Sequence, residues 1–288
     1  MLLIVGAIVV LASVTGGFLL EGGQILVLNQ PAEFLIIGGS AVGSLLIGTP
    51  PSVLKRLLSQ CARLFSSKGQ AQYVELLSML FQVFKVAQLG GIMALESHFE
   101  APEKSSVLSK FPGFLARRDA LDFLSDSVKV MIVGGMSPHD LELLMDEDLA
   151  VRHQTAGRPA ATLAKIADAL PGLGIVAAVL GVVITMGAID GPPSEIGHKV
   201  GAALVGTFLG ILLSYGFTQP LASNLEQRVA EDHHYELCIK AGLVAISKGL
   251  PPAIAIEFAR RVLPEELRPS FEETEKFCRA PTPKQEAA

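Results

Sequence analysis

Residues 170–220 read LPGLGIVAAVLGVVITMGAIDGPPSEIGHKVGAALVGTFLGILLSYGFTQP. Two uncharged runs, Ala169–Ile189 and Val200–Leu225, flank a short polar turn in this stretch. A helix rises 1.5 Å per residue and needs about 20 apolar residues to cross the hydrocarbon core of a bilayer, so each run is long enough. Both runs are rich in Gly and Ala, which let helices approach closely in lipid. The stretch therefore predicts a transmembrane helical hairpin packed within a bundle.

The remainder of the chain adds two further spans. Of its 288 residues, 50% are hydrophobic and only 18% are charged, which is too apolar for an ordinary soluble domain. Met1–Leu20 and Phe34–Leu54 are also free of charge. Met1–Leu20 lacks the basic start of a signal peptide and is interpreted as a retained span. The predicted fold class is all-α: a polytopic membrane protein with four transmembrane helices and a large helical cytoplasmic domain.

The distribution of Lys and Arg orients these spans. The turn between spans one and two has no basic residue, and the turn between spans three and four has only Lys199. Basic residues follow spans two and four, beginning with Lys55 and Arg228. Basic residues concentrate on the cytoplasmic side, so both short turns are predicted to lie outside and both termini inside.

The predicted organisation follows from these assignments. Its segments are transmembrane helices at 1–20, 33–50, 169–190 and 199–221, a cytoplasmic helical domain at 51–168, and a cytoplasmic helix with a disordered tail at 222–288.

No motif in the sequence points to catalysis. The adjacent pair His233-His234 does not make a metal site alone, because neighbouring helical residues point about 100° apart. The Gly-rich runs lie inside apolar spans and not in a nucleotide-binding context. No basic stripe interleaves with aromatic residues, as nucleic-acid binding would require. We therefore expect no enzyme activity, cofactor, metal or nucleic-acid partner.

Three features of the apolar runs bear on what the predicted spans do. Gly206, Gly210 and Ser214 form a stripe of small residues on span four, typical of tight helix packing. Pro171 and Pro220 are placed at similar depth near the cytoplasmic boundary; each is either a hinge inside a helix or merely a helix-end residue. The four uncharged runs hold no ionisable residue, so a conducted proton would need a carboxylate from a partner.

The chain resembles the MotA family of flagellar motor stator subunits. The resemblance extends from the first span to about Phe277, and its most specific parts are LPGLGIVAAVLGVV (170–183) and VGTFLGILLSYGFTQPLA (205–222). QPAEFLIIGG (30–39), LMDEDL (144–149) and LRPSF (267–271) support it.

The resemblance implies a stator in which five copies of the chain surround two copies of MotB, whose span supplies an ion-carrying aspartate. Thr207 matches the family's channel-lining threonine. Ala178 stands where sodium-driven relatives carry a hydroxyl, which suggests protons. Pro171 and Pro220 match the prolines implicated in coupling ion flow to movement.

The resemblance also implies a rotor contact with the protein FliG through charged cytoplasmic residues. Glu96 matches the family's glutamate, whereas Gln88 replaces its arginine. Lys85, one helical turn earlier, is our candidate for the missing positive charge.

Other readings remain open. The runner-up is an ion-driven subunit of the ExbB/TolQ type, which energises outer-membrane processes and has three spans instead of four. A scaffold is a further possibility. A small-solute transporter should show a broken helix or a buried mid-membrane charge, which the uncharged runs do not provide.

Overall fold

The structure is a computed structural model that describes residues 2–64, 71–187 and 189–279. All regular secondary structure in these ranges is helical, which confirms the all-α fold class. The predicted disordered tail, residues 279–288, lies outside the described residues apart from Arg279, which ends the last helix. The helices are α1 (Leu2–Leu20), α2 (Ile25–Leu28), α3 (Pro31–Gly48), α4 (Pro51–Arg63), α5 (Ala71–Gly90), α6 (Glu96–Glu100), α7 (Pro112–Leu115), α8 (Arg118–Val133), α9 (Pro138–Met186), α10 (Pro193–Ile211), α11 (Gln219–Ser247), α12 (Pro252–Arg261) and α13 (Phe271–Arg279).

Four helical stretches in the described ranges are long and apolar enough to cross a membrane, as predicted. They are Leu2–Leu20, Ile25–Gly48, Pro138–Met186 and Pro193–Ser247. The last two are much longer than a bilayer requires, at 49 and 55 residues. A seven-residue π-helical segment, Leu212–Thr218, joins α10 to α11 without a break. The predicted boundary at residues 168/169 therefore falls inside the continuous helix α9.

The chain divides into two compact units. The first comprises residues 1–66 and 156–228, and so holds α1 to α4, the later part of α9, α10 and the start of α11. Helix α1 has no buried residue, as expected for a helix that is apolar on all sides and faces lipid or another chain. Helices α3, α9 and α10 bury a shared apolar cluster: Ile37, Ala41, Leu170, Ala177, Val205 and Leu209.

The second unit comprises residues 67–155 and 229–288. Its core is centred on α5, which buries nine residues, including Tyr73, Leu80 and Phe84. Helix α5 ends at Gly90, and Gly91 adopts φ +77°, a left-handed conformation that favours glycine and ends the helix. Ser137 caps the start of α9, because the Ser137 hydroxyl accepts a hydrogen bond from the amide of Asp140 at 3.1 Å.

Candidate functional site

The site is built on a close-packed seam between the third and fourth spans, formed by the apolar end of α9 and by α10. A Cβ atom added to Gly210 would stand 2.7 Å from the carbonyl oxygen of Leu170 and 2.9 Å from the Cα of Gly174. One added to Gly181 would stand 2.7 Å from the Cβ of Ala203. These approaches are shorter than real Cβ contacts, so the seam requires glycine at these positions.

The seam fixes the register of the two antiparallel helices. Gly174 lies against Gly210, Gly206 lies against Ala177, and Gly181 lies against Ala203. This register brings the two predicted pathway residues to one level, because the backbone nitrogen of Ala178 lies close to Gly206, which precedes Thr207. Ala178 and Thr207 are both half-buried, whereas Ala177 and Gly206 are buried within the seam. The two predicted residues therefore line the edge of the seam.

The hydroxyl groups of the two span threonines differ in their partners. The Thr185 hydroxyl donates to the carbonyl of Gly181 at 2.8 Å, one turn earlier on its own helix. For the Thr207 hydroxyl, no hydrogen bond is found within the described ranges. Thr207 thus keeps a polar group available at the edge of an otherwise apolar seam.

Span two adds a carboxylate at the first position of the predicted segment 33–50, just before its uncharged run. Glu33 lies in the first turn of α3 and is buried, with 7% of its surface exposed. A Cβ atom added to Gly206 would stand 2.6 Å from the Oε2 atom of Glu33. The expectation that the spans hold no ionisable residue is therefore wrong at this position. The uncharged run begins one residue later, so counting charge-free residues excluded Glu33, and only the packing of α3 on α10 reveals it.

Pro171 lies inside α9 and not at its start, so the reading of Pro171 as a first helical residue is wrong. A proline cannot donate to the carbonyl four residues earlier, which here belongs to Ala167. The Ser214 hydroxyl of span four donates to that carbonyl at 2.6 Å. Ser214, predicted only as a small packing residue, thus satisfies the carbonyl that Pro171 leaves free and ties the two helices together.

Pro220 also lies inside a continuous helical stretch, as the second residue of α11, directly after the π-helical segment. The reading of Pro220 as a helix end is therefore also wrong. If the register of the seam continues, Pro171 is level with about residue 213 of span four. Pro220 then lies about seven residues, or roughly 10 Å, further along that span. The two prolines are not at equal depth, and the π-helical segment lies between their levels. Proline and π-helical turns are both places where helices bend.

Two residues of the predicted stripe, Gly206 and Gly210, lie against α9 in the seam. Gly210→Ala should separate spans three and four, because its Cβ meets backbone atoms that cannot rotate away. Overpacking of this kind costs about 1–3 kcal/mol. We expect a lower thermal denaturation midpoint for the detergent-solubilised protein.

Gly201→Ala on the same helix is the matched control, because no atom lies within 4 Å of the Cβ it would add. Its midpoint should not fall below that of the native protein, because alanine is a better helix former than glycine. Equal midpoints for all three proteins would contradict the seam.

The three predicted rotor-contact residues lie on the surface of the second unit. Lys85 and Gln88 are exposed on the last turns of α5, three residues apart and so on one face. The Lys85 amine lies 4.8 Å from the centroid of the Phe81 ring. Glu96 is exposed at the start of α6, beyond the bend at Gly91.

Two large apolar side chains on the same segment were not predicted to be exposed. Leu89 is 88% exposed and Met93 is 61% exposed. They lie between Gln88 and Glu96 along the chain, so the candidate rotor surface is less polar than its charged residues alone suggest.

The paired histidines do not form a metal site. The ring of His233 lies against that of His153, with centroids 4.4 Å apart, and burial together with the neighbouring His153 and His234 lowers the pKa of His233. Across the described part of the chain, no group of three His, Cys, Asp or Glu residues could hold a metal ion.

A second buried carboxyl lies on α11, in the second unit. Burial raises the pKa of Glu236 to about 7; nearby Arg152 opposes the shift, and Asp119, Asp232 and Asp148 add to it. Arg152 is already engaged, because its Nε donates to Asp148 at 2.9 Å and its Nη1 to the carbonyl of Asp119 at 3.1 Å.

Glu236 should make the stability of this unit depend on pH. Because its pKa in the folded state lies above the usual 4.5, the folded state holds an extra proton between pH 4.5 and about 7. The contribution of Glu236 to the free energy of unfolding is therefore fully present below pH 4.5. It falls by up to about 3 kcal/mol as the pH rises to 7. Glu236→Gln should raise the denaturation midpoint at pH 8 and change it little at pH 4.5.

The exposed Glu147, substituted in the same way, controls for a general charge effect. A Glu236→Gln gain that is equal at both pH values would contradict the assignment.

Comparison with known proteins places this arrangement in a family. The sequence profile of the motility protein A N-terminal region matches residues 4–91, and that of the MotA/TolQ/ExbB proton channel family matches residues 117–235. Motility protein A of Escherichia coli strain K12 is 41% identical over 282 residues, covering 97% of this chain and 96% of its own. Motility protein A of Salmonella typhimurium is 39% identical, with the same shares covered.

A solved structure shares the fold. The chain superposes on a structure titled "Structure of C. jejuni MotAB" with a TM-score of 0.75 at 19% identity, covering 92% of this chain and 96% of that one. The shared fold agrees with the resemblance drawn from residues 170–222. So does the 41% and 39% identity to these two relatives over nearly the whole chain. The chain belongs to the motility protein A family, within the MotA/TolQ/ExbB proton channel proteins, and not to a family of enzymes.

Proposed function

We propose that the chain is the stator subunit of a bacterial flagellar motor, which conducts protons together with MotB and converts their flow into torque on the rotor. The observation that carries this is the close-packed seam between two uncharged helices, each of which continues through a proline, in a chain that matches motility protein A over 97% of its length. Its place is the inner membrane, with both termini in the cytoplasm and the four spans and two cytoplasmic segments as the sequence predicts.

The proposed ion path runs along the edge of the seam. A carboxylate on the MotB span approaches Thr207 and Ala178, and its protonation removes a charge from beside spans three and four. Ala178 brings no hydroxyl to this level, which favours protons over sodium. One charge crossing the membrane yields about 2.3 kcal/mol per 100 mV, several times the thermal energy, and this is enough to bias a conformational step.

The step is proposed to act through the two prolines. Loss of the charge changes the contacts of MotB with the surrounding chains, and the helices bend where proline has removed a backbone hydrogen bond. The Ser214–Ala167 hydrogen bond holds the Pro171 level of both helices together. In the family assembly, five copies of the chain surround a MotB pair and step around it.

Force is proposed to reach the rotor protein FliG through Lys85, Gln88 and Glu96. Their exposure in the second unit supports such a contact. Contacts between exposed charges weaken with salt, so the coupling should be sensitive to ionic strength.

The test of this function is replacement of a relative. Expressed with a matching MotB in an E. coli strain that lacks its own motility protein A, the chain should restore swimming, and swimming speed should follow the proton gradient and not the sodium gradient. Membrane-inserted protein that co-purifies with MotB but never restores rotation would contradict the stator function.

Removing either interior proline should uncouple ion flow from movement. Pro171→Ala or Pro220→Ala restores a backbone donor, stiffens the helix and is expected to abolish rotation while the complex still assembles in the membrane. Single-motor rotation and membrane level are the measurements.

Pro159→Ala is the matched control, since Pro159 also lies inside α9 but outside the predicted coupling pair. Equal loss of rotation in all three variants, or loss of membrane insertion, would instead indicate that the prolines serve general helix packing.

Lys85 should carry the positive charge of the rotor contact. Lys85→Glu reverses an exposed charge and is expected to reduce swimming without lowering the membrane level. Lys110→Glu, at another exposed lysine of the second unit, should have no effect. Unchanged swimming in the Lys85→Glu variant would remove Lys85 from the contact.

The ExbB/TolQ-type alternative has less support. One of the two matching profiles spans both groups, but the other is specific to the N-terminal region of motility protein A. The fourth long apolar helix also argues against a three-span architecture.

A further inference from the structure

The Glu33 carboxyl is buried in the membrane-embedded part of the chain without the partners that a buried charge requires. The residue is more than nine-tenths buried, and its Oε2 atom has no hydrogen-bond partner within the described residues. That oxygen lies against Gly206, at the point where span four touches Ala177 and Ala178 of span three. Glu33 therefore points at the same level of the seam as the two predicted pathway residues.

The charges on the elements packed around Glu33 do not neutralise it. Helix α2 and the apolar end of α9 from residue 169 carry no charged residue. Helix α10 carries Glu195, His198 and Lys199, of which Lys199 is nearest in sequence to Gly206. It lies seven residues, or about 10 Å, away along the helix. Lys199 is also paired with Glu195 at 2.9 Å.

Helix capping does not explain this burial. A carboxylate in the first turn of a helix is favoured by the helix dipole and can accept a bond from the capping amide. Helix α13 shows that arrangement, since Glu273 accepts a hydrogen bond from the Ser270 amide at 2.8 Å. In α3 the capping residue Gln30 makes no side-chain cap bond, and the Glu33 oxygen is turned towards span four instead.

An ionised carboxylate buried with an unsatisfied oxygen costs several kcal/mol and is relieved by taking up a proton. We propose that Glu33 is a proton-binding residue of the ion pathway, in the outer half of the membrane. It takes a proton from the outer aqueous side and becomes a neutral carboxylic acid. It then passes the proton to the membrane carboxylate of MotB and returns to the carboxylate form.

This inference rests on the proposed stator function, and the native chain tests that function separately. In cells where the native chain with MotB supports rotation, Glu33→Gln, which keeps the shape but cannot release a proton, should lower torque at least tenfold. Glu33→Asp should retain torque but shift its dependence on external pH. Glu21→Gln, at an exposed carboxylate on the same outer side, is the control and should leave the pH profile unchanged.

An infrared spectrum of the purified complex provides a readout that a packing role would not move. The carbonyl-stretch band of a protonated carboxyl should titrate in the native complex and lose one component in Glu33→Gln. Native torque and an unchanged pH profile in Glu33→Gln would overturn the proposal. So would loss of the complex in Glu33→Gln together with an unshifted pH profile in Glu33→Asp, because Glu33 would then serve packing alone. Failure of the native chain to support rotation would instead count against the stator function.

Discussion

The near-contact of two helix backbones along spans three and four is the constraint on which the rest of this membrane unit depends. Gly174 and Gly210 are so close that a methyl group on either would meet backbone atoms of the other helix. In lipid, where apolar burial gives little drive for association, such close packing is a main source of helix–helix attraction. The register it imposes decides which side chains share a level. It sets Ala178 beside Gly206 and Thr207, and Ala167 within reach of Ser214.

Much of this arrangement could be predicted from local pattern. Span number, the hairpin and the packing role of Gly206 and Gly210 follow from uncharged runs and small-residue spacing, which reflect the helix's own geometry. The cap at Ser137 and the break at Gly91 follow from local backbone chemistry. These features are set by residues close together in sequence, so a sequence alone can reveal them.

The missed features all require a partner distant in sequence. Ser214 was expected to be small and was not expected to donate to the carbonyl opposite, because that bond depends on the register of two helices 47 residues apart. Glu33 opens the predicted segment 33–50 but precedes its charge-free run, and only the packing of α3 on α10 shows that it is buried. The helix-end reading of Pro171 and Pro220 was wrong because tertiary packing carries both helices through proline.

In the proposed mechanism, protons cross the apolar corridor along spans three and four with the help of a carboxylate on another chain. The most direct test of this mechanism is proton flux into vesicles that contain this chain alone, compared with empty vesicles and with rotation in cells that hold both chains. The account predicts flux no greater than in empty vesicles, together with rotation once MotB is present. Selective proton current through the isolated chain would contradict it.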